Sequence, residues 1–182
     1  MLDTYHYSWE SIIPAEICDS IVKSIDWDCK ESGKIGGDLT KEGAENITFR
    51  DTDLVWQDQL SVAGCILKSF IDMANHVCNW NYDYKLMETV QIGRYKEKGH
   101  YTWHRDTANP MNGLQRKLSG ILLLNDPSEF EGGKLEFRDV PSPELKKGSI
   151  IVFPSFLDHR VTPVTSGVRY TAVSWVVGPT FR

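Results

Sequence analysis

The amino-acid sequence predicts a single, mostly β domain, a sandwich or jelly roll, with helices packed against one face. After Asp83 the chain consists of short segments in which polar and apolar residues alternate, separated by turns rich in Pro, Gly and Asn. Before that point, two stretches repeat apolar residues with a helical period. We therefore expect one domain over residues 1–182, with a helical part at about 1–82 that buttresses a jelly-roll core at about 85–178.

The N-terminal part contains two predicted helices joined by a loop. In the first, Pro14 stands near the start and Ile17, Ile21 and Ile25 recur at four-residue intervals. The second is expected over residues 57–79. Its apolar stripe is formed by Leu60, Gly64, Leu67, Phe70, Ala74 and Val77. Residues 28–46 are dense in Gly and charge, so they are expected to form a surface loop, either a lid or an ordinary exposed loop.

Six segments of the core are expected to be strands that pair antiparallel, because no helical segment lies between them. They are KLMETVQIGRY (85–95), KLSGILLLND (117–126), KLEF (134–137), GSIIVFP (148–154), DHRVTPV (158–164) and RYTAVSWVV (169–177). The segment 107–117 is expected to be a second loop that, together with 28–46, determines the substrate and could act as a lid.

The composition excludes some functions. A net charge of −5 argues against a protein whose main task is to neutralise phosphates, so nucleic acid is not an expected partner. The N terminus lacks a secretory signal and no segment approaches membrane-spanning length, which predicts a cytoplasmic protein without a membrane partner. The four cysteines have no CxxC spacing and are expected to be reduced, structural thiols.

The stretch GHYTWHRDTANP (99–110) contains the His-Arg-Asp triplet that opens the catalytic loop of protein kinases. In a kinase an Asn follows that Asp at the fifth position, but here the residue is Met111, and Asn112 comes one position too late. The chain also lacks a Gly-rich phosphate loop, a VAIK-like strand and a DFG motif. The kinase interpretation is therefore excluded.

A metal site is the alternative interpretation of the same triplet. In a strand, side chains at i and i+2 point to one face about 7 Å apart, so His104 and Asp106 would converge on one ion while Trp103 and Arg105 face away. His159 lies 53 residues after Asp106, at the start of another predicted strand. Two imidazoles and one carboxylate form the facial triad of non-haem iron(II) oxygenases, although a lone His-x-Asp is common by chance.

Arg169 follows His159 by ten residues and strengthens this hypothesis. Strand alternation puts Arg169, Thr171 and Trp175 on one face of RYTAVSWVV. An inward Arg beside apolar residues requires an anion, which could be a protein carboxylate or a small dicarboxylate that also reaches the metal. We favour the dicarboxylate, because a buried Arg and the open coordination positions beside the triad could bind the two ends of one molecule.

The HRD triplet and the segment DHRVTPVTSGVRYT, with EGGKLEF and KKGSIIVFPS between them in order, resemble the iron(II)- and 2-oxoglutarate-dependent dioxygenases, in particular the prolyl-4-hydroxylase-like group. The resemblance covers residues 87–178 and, more loosely, FRDTDLVW at 49–56. It implies a double-stranded β-helix, with His104, Asp106 and His159 as iron ligands. By the same resemblance, Arg169 would bind the distal carboxylate of 2-oxoglutarate.

The resemblance also implies pocket residues and a reaction. Tyr95, Thr171 and Trp175 match positions that line the cosubstrate pocket, whereas Leu123 stands where some relatives have a second carboxylate-binding Tyr. The implied requirements are Fe²⁺, 2-oxoglutarate and O₂, with ascorbate as a reductant. The reaction would hydroxylate an unactivated C–H bond while 2-oxoglutarate is decarboxylated to succinate. The substrate could be a small molecule such as a free amino acid, a peptidyl proline, or another residue of a peptide or protein.

Two other classes of function stay open at this point. A jelly roll could carry a metal or sugar site without catalysing a reaction, and a cupin-like isomerase or zinc hydrolase could use His and Asp in such a barrel. Neither alternative explains Arg169.

Overall fold

The computed structural model describes residues 4–35, 44–107 and 113–180 of the chain. The described part has two α-helices, α1 (Ala15–Lys23) and α2 (Val62–Val77), and two single turns of 3₁₀ helix at Trp27–Cys29 and Pro127–Glu129. Pro14 immediately precedes α1 and makes no side-chain cap, whereas the side chain of Ser61 caps α2 by accepting a hydrogen bond from the backbone N–H of Gly64. No helix in these ranges is long and apolar enough to cross a membrane.

Sixteen strands account for most of the remaining regular structure of the described residues. They are β1 (Tyr7–Trp9), β2 (Glu31–Ser32), β3 (Lys34–Ile35), β4 (Ala44–Glu45), β5 (Arg50–Asp51), β6 (Asp53–Gln57), β7 (Leu86–Met87), β8 (Val90–Tyr95), β9 (His100–His104), β10 (Leu114–Leu123), β11 (Phe130–Gly132), β12 (Leu135–Phe137), β13 (Ile150–Pro154), β14 (His159–Val161), β15 (Val164–Gly167) and β16 (Arg169–Pro179).

The strands form two main sheets. The larger has the order β1-β13-β10-β16-β8-β6-β2, with β7 also paired to β16, and the smaller has the order β12-β14-β9-β5. The pairs β11-β15 and β3-β4 stand apart from both. Each of these pairings is antiparallel, which confirms the prediction from the short connections.

The larger sheet is covered on both faces. On one face, Leu67 and Ile71 of α2 belong to a core that includes Leu118 and Ile150 of the sheet. Gly120 lets the helix approach closely, because a Cβ on it would lie 2.8 Å from Cδ1 of Ile71. The other face packs against the smaller sheet through a second core, formed by Ile121, Leu135, Phe137, Ile151 and Phe153. The helices therefore buttress one face, as expected, and the smaller sheet covers the other.

The N-terminal part differs from the prediction in its strands. It was expected to be helical, yet β1 pairs with β13, β5 with β9, and β6 with β8. Residues 28–46 were expected to be one surface loop, but the described part of this segment contains β2, β3 and β4, which each pair with a neighbour. Likewise, the expected loop 107–117 gives way to β10 from Leu114 onwards. Residues 36–43 and 108–112, where a lid was considered, lie outside the described residues.

The second helix also differs in its limits and in its buried face. It was expected over 57–79 with Leu60 and Val77 on the apolar stripe, but those two side chains are 79% and 51% exposed. Gly64, Leu67 and Ala74 of the predicted stripe are buried, and Ala63 and Ile71 complete the buried face. The prediction of the stripe was therefore right in the middle of the helix and wrong at its two ends.

Candidate metal centre and cosubstrate pocket

His104 and His159 meet because their strands pair directly. His104 ends β9, His159 begins β14, and the two residues are opposite each other in the register of this antiparallel pair. The side chains of residues paired across a sheet point to the same face. Their rings are accordingly close, with centroids 4.2 Å apart.

Asp106 joins them from a turn rather than from a strand. We predicted that a continuous strand would align Asp106 with His104, but β9 ends at His104 and Asp106 lies in the turn that follows. The backbone N–H groups of Asp106 and Thr107 both donate to the carbonyl oxygen of Ser155, at 2.9 and 3.2 Å, which fixes this turn against the end of β13. The expected i, i+2 geometry was therefore wrong, although the side chains do converge.

The three side chains present their ligand atoms to one point. Nε2 of His104 lies 3.6 Å from Oδ1 of Asp106, and Nε2 of His159 lies 3.6 Å from Oδ2. All the potential ligand atoms lie within 4.8 Å of one another. Ligands bonded at about 2.0–2.2 Å to one ion are roughly 3–4 Å apart, and both separations between a histidine and Asp106 fall in this range. The three residues are thus a candidate set of ligands for one metal ion.

Hydrogen bonds fix the protonation of the two rings. Nδ1 of His104 lies 2.8 Å from the carbonyl oxygen of Thr102, and Nδ1 of His159 lies 2.9 Å from that of Leu157. A carbonyl can only accept, so each Nδ1 carries the proton and each Nε2 keeps a lone pair for a metal. Burial lowers the pKa of His159 to about 4 in spite of the neighbouring Asp106, so this ring is neutral at pH 7.

Asp106 is held as a buried carboxylate. Burial alone would raise the pKa of its carboxyl, but the adjacent His159 and His104 outweigh burial and hold that pKa well below its usual range. Ser119 of β10 donates a hydrogen bond of 2.7 Å to Oδ2, and the hydroxyl of Ser155 lies 2.9 Å from that of Ser119. Ser119 was missed in the sequence because it lies on another strand and belongs to no motif.

Arg169 is a buried cation without a carboxylate partner among the described residues. It begins β16 opposite Tyr95 of β8, is 3% exposed, and its guanidinium carbon lies 5.3 Å from the centre of the Tyr95 ring. Burial lowers its pKa, and Tyr95 opposes this only in part. Of the two anions considered from the sequence, a protein carboxylate therefore finds no support, and an external anion remains.

A cavity of about 730 Å³ reaches Arg169. Its wall includes Leu123 of β10 and both Leu135 and Phe137 of β12, and we call it the β12 cavity. Gly133 lies beside it at a φ of +57°, and a Cβ there would come within 2.8 Å of Cδ of Arg169. A glycine at this position thus leaves Arg169 room to lie against the chain.

The other predicted pocket residues separate into two places. Tyr95 and Thr171 are buried, and Thr171 stands two residues from Arg169 on the same strand face. Trp175 is six residues from Arg169, roughly 20 Å along an extended strand. It is paired instead with Ser119, which binds Asp106, so it lies near the metal ligands and away from Arg169.

Several residues near the metal ligands were not singled out in the sequence. Tyr101 stacks on His104 with ring centroids 3.5 Å apart, and burial raises the pKa of its phenol to about 12. The guanidinium carbon of Arg50 lies over the Tyr101 ring, 4.5 Å from its centre. Arg116 forms a bidentate ion pair with Glu88 at 2.8 and 2.6 Å. The stretch FRDTDLVW, which contains Arg50, and the predicted substrate loop 107–117, which contains Arg116, had given a signal.

Comparison with known proteins identifies the family. A model of the 2OG-Fe(II) oxygenase superfamily matches residues 90–177, which include the triad and Arg169. The match confirms, over the core of the chain, the resemblance to this superfamily that the sequence motifs indicated. A PKHD-type hydroxylase of Picosynechococcus sp. is 40% identical to this chain over 95 residues, which is 50% of the chain and 43% of that relative. The chain thus matches less than half the length of the curated relative.

Solved structures show the fold of this chain. The viral collagen prolyl hydroxylase of Paramecium Bursaria Chlorella virus-1 has a TM-score of 0.72 at 22% identity, covering 97% of each chain. A prolyl hydroxylase of Trichoplax adhaerens, in complex with a hypoxia inducible factor peptide fragment, has a TM-score of 0.65 at 14% identity, covering 96% of this chain and 84% of that one. The predicted jelly-roll fold, a double-stranded β-helix, is confirmed.

Proposed function

We propose that this chain is an Fe(II)- and 2-oxoglutarate-dependent hydroxylase of the prolyl-4-hydroxylase-like group. His104, Asp106 and His159 would hold the iron on one face, which leaves three coordination positions for ligands. Bound iron with 2-oxoglutarate and O₂ supplies the oxidising power to hydroxylate an unactivated C–H bond as 2-oxoglutarate becomes succinate. Arg169 carries the assignment, because a buried cation that pairs with no carboxylate of the described residues, in a chain that also forms a facial triad, fits a dicarboxylate cosubstrate.

The residues of the chain bind and orient the reactants. The planar guanidinium of Arg169 would take the distal carboxylate in a bidentate manner, and Tyr95 beside it supplies a phenol to the same pocket. Thr171 offers a further hydroxyl in place of the Tyr that Leu123 replaces. Ser119 and the carbonyl groups of Thr102 and Leu157 keep the metal ligands in position. Tyr95 and Thr171 would thus contact the cosubstrate, as the resemblance implied. Trp175, which the resemblance also placed in the cosubstrate pocket, is proposed to contact the substrate instead.

The substrate is proposed to be a residue within a peptide. Nε and Nη2 of Arg50 and Nε1 of Trp175 are buried and have no hydrogen-bond partner among the described residues. Both groups are donors only, and an extended peptide, which presents carbonyl oxygens in succession, would supply acceptors for them. The Trichoplax adhaerens neighbour, which was solved with a peptide, supports this choice. A prolyl residue and a cytoplasmic location remain predictions from the sequence and its resemblance.

An anaerobic titration tests the cosubstrate. Addition of 2-oxoglutarate to the Fe(II)-loaded protein should give a weak visible charge-transfer band, and oxygen should then yield succinate. A folded, iron-loaded protein that shows no band would contradict the proposal. In that case a binding module without turnover would be favoured, and activity with zinc in the absence of oxygen would favour a hydrolase or isomerase.

A second experiment tests the peptide. Arg50→Met should raise the KM for a stimulating peptide while the affinity for 2-oxoglutarate stays constant, because Arg50 lies beside Tyr101 and not beside Arg169. Arg160→Met, which removes an arginine paired with Glu136 on the surface, is the matched control. If free L-proline stimulated succinate formation as well as proline-containing peptides did, the peptide assignment would be wrong.

A further inference from the structure

The order of the smaller sheet separates two compartments on either side of the metal ligands. His159 on β14 and His104 on β9 occupy the two central strands of the order β12-β14-β9-β5. The β12 cavity is lined mainly by β12 and the segments that flank it, with Trp103 of β9 as a further contributor, and none of the three candidate metal ligands contributes to its described wall. Arg50, with its unpartnered donor atoms, lies on β5 at the other end. The centre thus has a β12 side and a β5 side.

The β12 cavity is electropositive. Its wall has four cationic and two acidic side chains, hence a net charge of +2, in a chain whose net charge is −5. The charged residues are Lys134, Arg138, Lys146, Arg169, Glu136 and Glu144. A concave surface of one sign concentrates ions of the opposite sign, so this cavity attracts anions although the protein as a whole repels them.

Within the cavity, two cations are left without an ion-pair partner among the described residues. Lys146 pairs with Glu10 at 2.6 Å and Arg138 lies 3.7 Å from a carboxylate oxygen of Asp158. Lys134 at the exposed rim and Arg169 at the buried end pair with no carboxylate there. Lys134 and Arg169 are neighbours in space, because Gly133, the residue before Lys134, packs against the Arg169 side chain. An anion that enters at Lys134 therefore meets Arg169 next.

The size of the cavity also exceeds what one small dicarboxylate needs. At about 730 Å³ it falls within the range of about 300–1,000 Å³ that holds drug-sized ligands. A bound 2-oxoglutarate would fill only the part next to Arg169. The rest of the volume leads outward along β12 to the rim, which gives a path rather than a closed pocket.

We propose that the β12 cavity is a separate entrance and exit for the dicarboxylates, so that 2-oxoglutarate enters and succinate leaves past Lys134 while the primary substrate occupies the β5 side. This inference rests on the proposed function. Its consequence is that cosubstrate exchange does not require the primary substrate to dissociate. Lys134 and Glu144 set the rate of entry through their charges, and Arg169 determines the affinity.

Stopped-flow measurement of 2-oxoglutarate association with the Fe(II)-loaded protein, without oxygen, tests this route. Lys134→Glu should slow association and Glu144→Lys should accelerate it, each by about 3- to 10-fold at low ionic strength, with the difference decreasing as salt is added. Lys23→Glu, at the end of α1, changes the net charge by the same amount as Lys134→Glu and should have little effect.

The outcomes distinguish the route from the proposed function itself. If Lys134→Glu and Lys23→Glu slowed association equally, only the overall charge would matter and the separate entrance would be refuted. If the unchanged protein bound no 2-oxoglutarate, the proposed function would fail instead. A bulky maleimide on Lys134→Cys, in a chain with Ser at the three accessible cysteines Cys29, Cys65 and Cys78, should block association without affecting iron binding. Unchanged association in that labelled protein would also refute the route.

Discussion

The hydroxyl of Ser119 is predicted to control metal affinity although it is not expected to touch the metal. It is fully buried and donates a 2.7 Å hydrogen bond to Oδ2 of Asp106, and Ser155 lies 2.9 Å behind it. A hydrogen bond to a charged group contributes about 1.5–3 kcal/mol. Since about 1.4 kcal/mol corresponds to a factor of ten, Ser119→Ala should weaken Fe(II) or Mn(II) binding by about 10- to 100-fold.

Ser174 offers a matched control in the same sheet. It is also fully buried, but its hydroxyl donates to the backbone carbonyl of Glu88 at 2.9 Å, which is a neutral acceptor and not part of a candidate metal ligand. Ser174→Ala should lower the free energy of unfolding by about 1 kcal/mol and leave the metal affinity unchanged. Chelator competition gives the affinity and thermal unfolding gives the stability of both variants. Equal metal affinity in Ser119→Ala and the unchanged protein would refute the reasoning.

Three further substitutions have expected outcomes. Arg169→Met should lower the affinity for 2-oxoglutarate by at least about 100-fold, since two charge-assisted hydrogen bonds are lost, while titration still shows iron bound. Gly133→Ala should weaken 2-oxoglutarate binding more than Gly113→Ala, because both have positive φ but a Cβ at Gly113 meets nothing within 4 Å; similar binding in the two variants would contradict this. Gly120→Ala should destabilise the fold by about 1–3 kcal/mol through contact with Ile71, as thermal unfolding would show, without changing either affinity.

The strands of the core were predictable because their burial is one-sided or continuous, whereas β5 and β6 were missed for an electrostatic reason. Asp53 begins β6, and an acidic residue normally argues against a strand. In the structure Arg94 of β8 and Lys96 pair with this carboxylate at 2.7 and 2.8 Å. That compensation comes from residues about 40 positions later, so a local pattern does not contain it.

The metal ligands could be located from residue type and spacing, but their geometry could not. The spacing of His104 and Asp106 indicated one face of a strand, yet the strand stops at His104 and the carbonyl of Ser155 holds the following turn. Arg105 between them does face outward, where it forms a bidentate ion pair with Asp158. Hydrogen bonds between distant segments thus determine the approach of the carboxylate, and these follow from the tertiary fold rather than from spacing.

The burial of Arg169 is predicted to lower the stability of the fold while it provides the binding site for the anion. A cation taken out of water without a partner destabilises the fold, because its hydration is not replaced. Arg169→Met in the protein without ligand should therefore unfold at the same or a higher temperature than the unchanged chain, even though it binds 2-oxoglutarate poorly. Conversely, 2-oxoglutarate with metal should raise the unfolding temperature of the unchanged chain and not that of the variant, since only a ligand that binds the folded state shifts its stability. A chain that retains such a cation in an electropositive cavity is adapted to receive an anion from outside, and the open path along β12 provides the direction from which it comes.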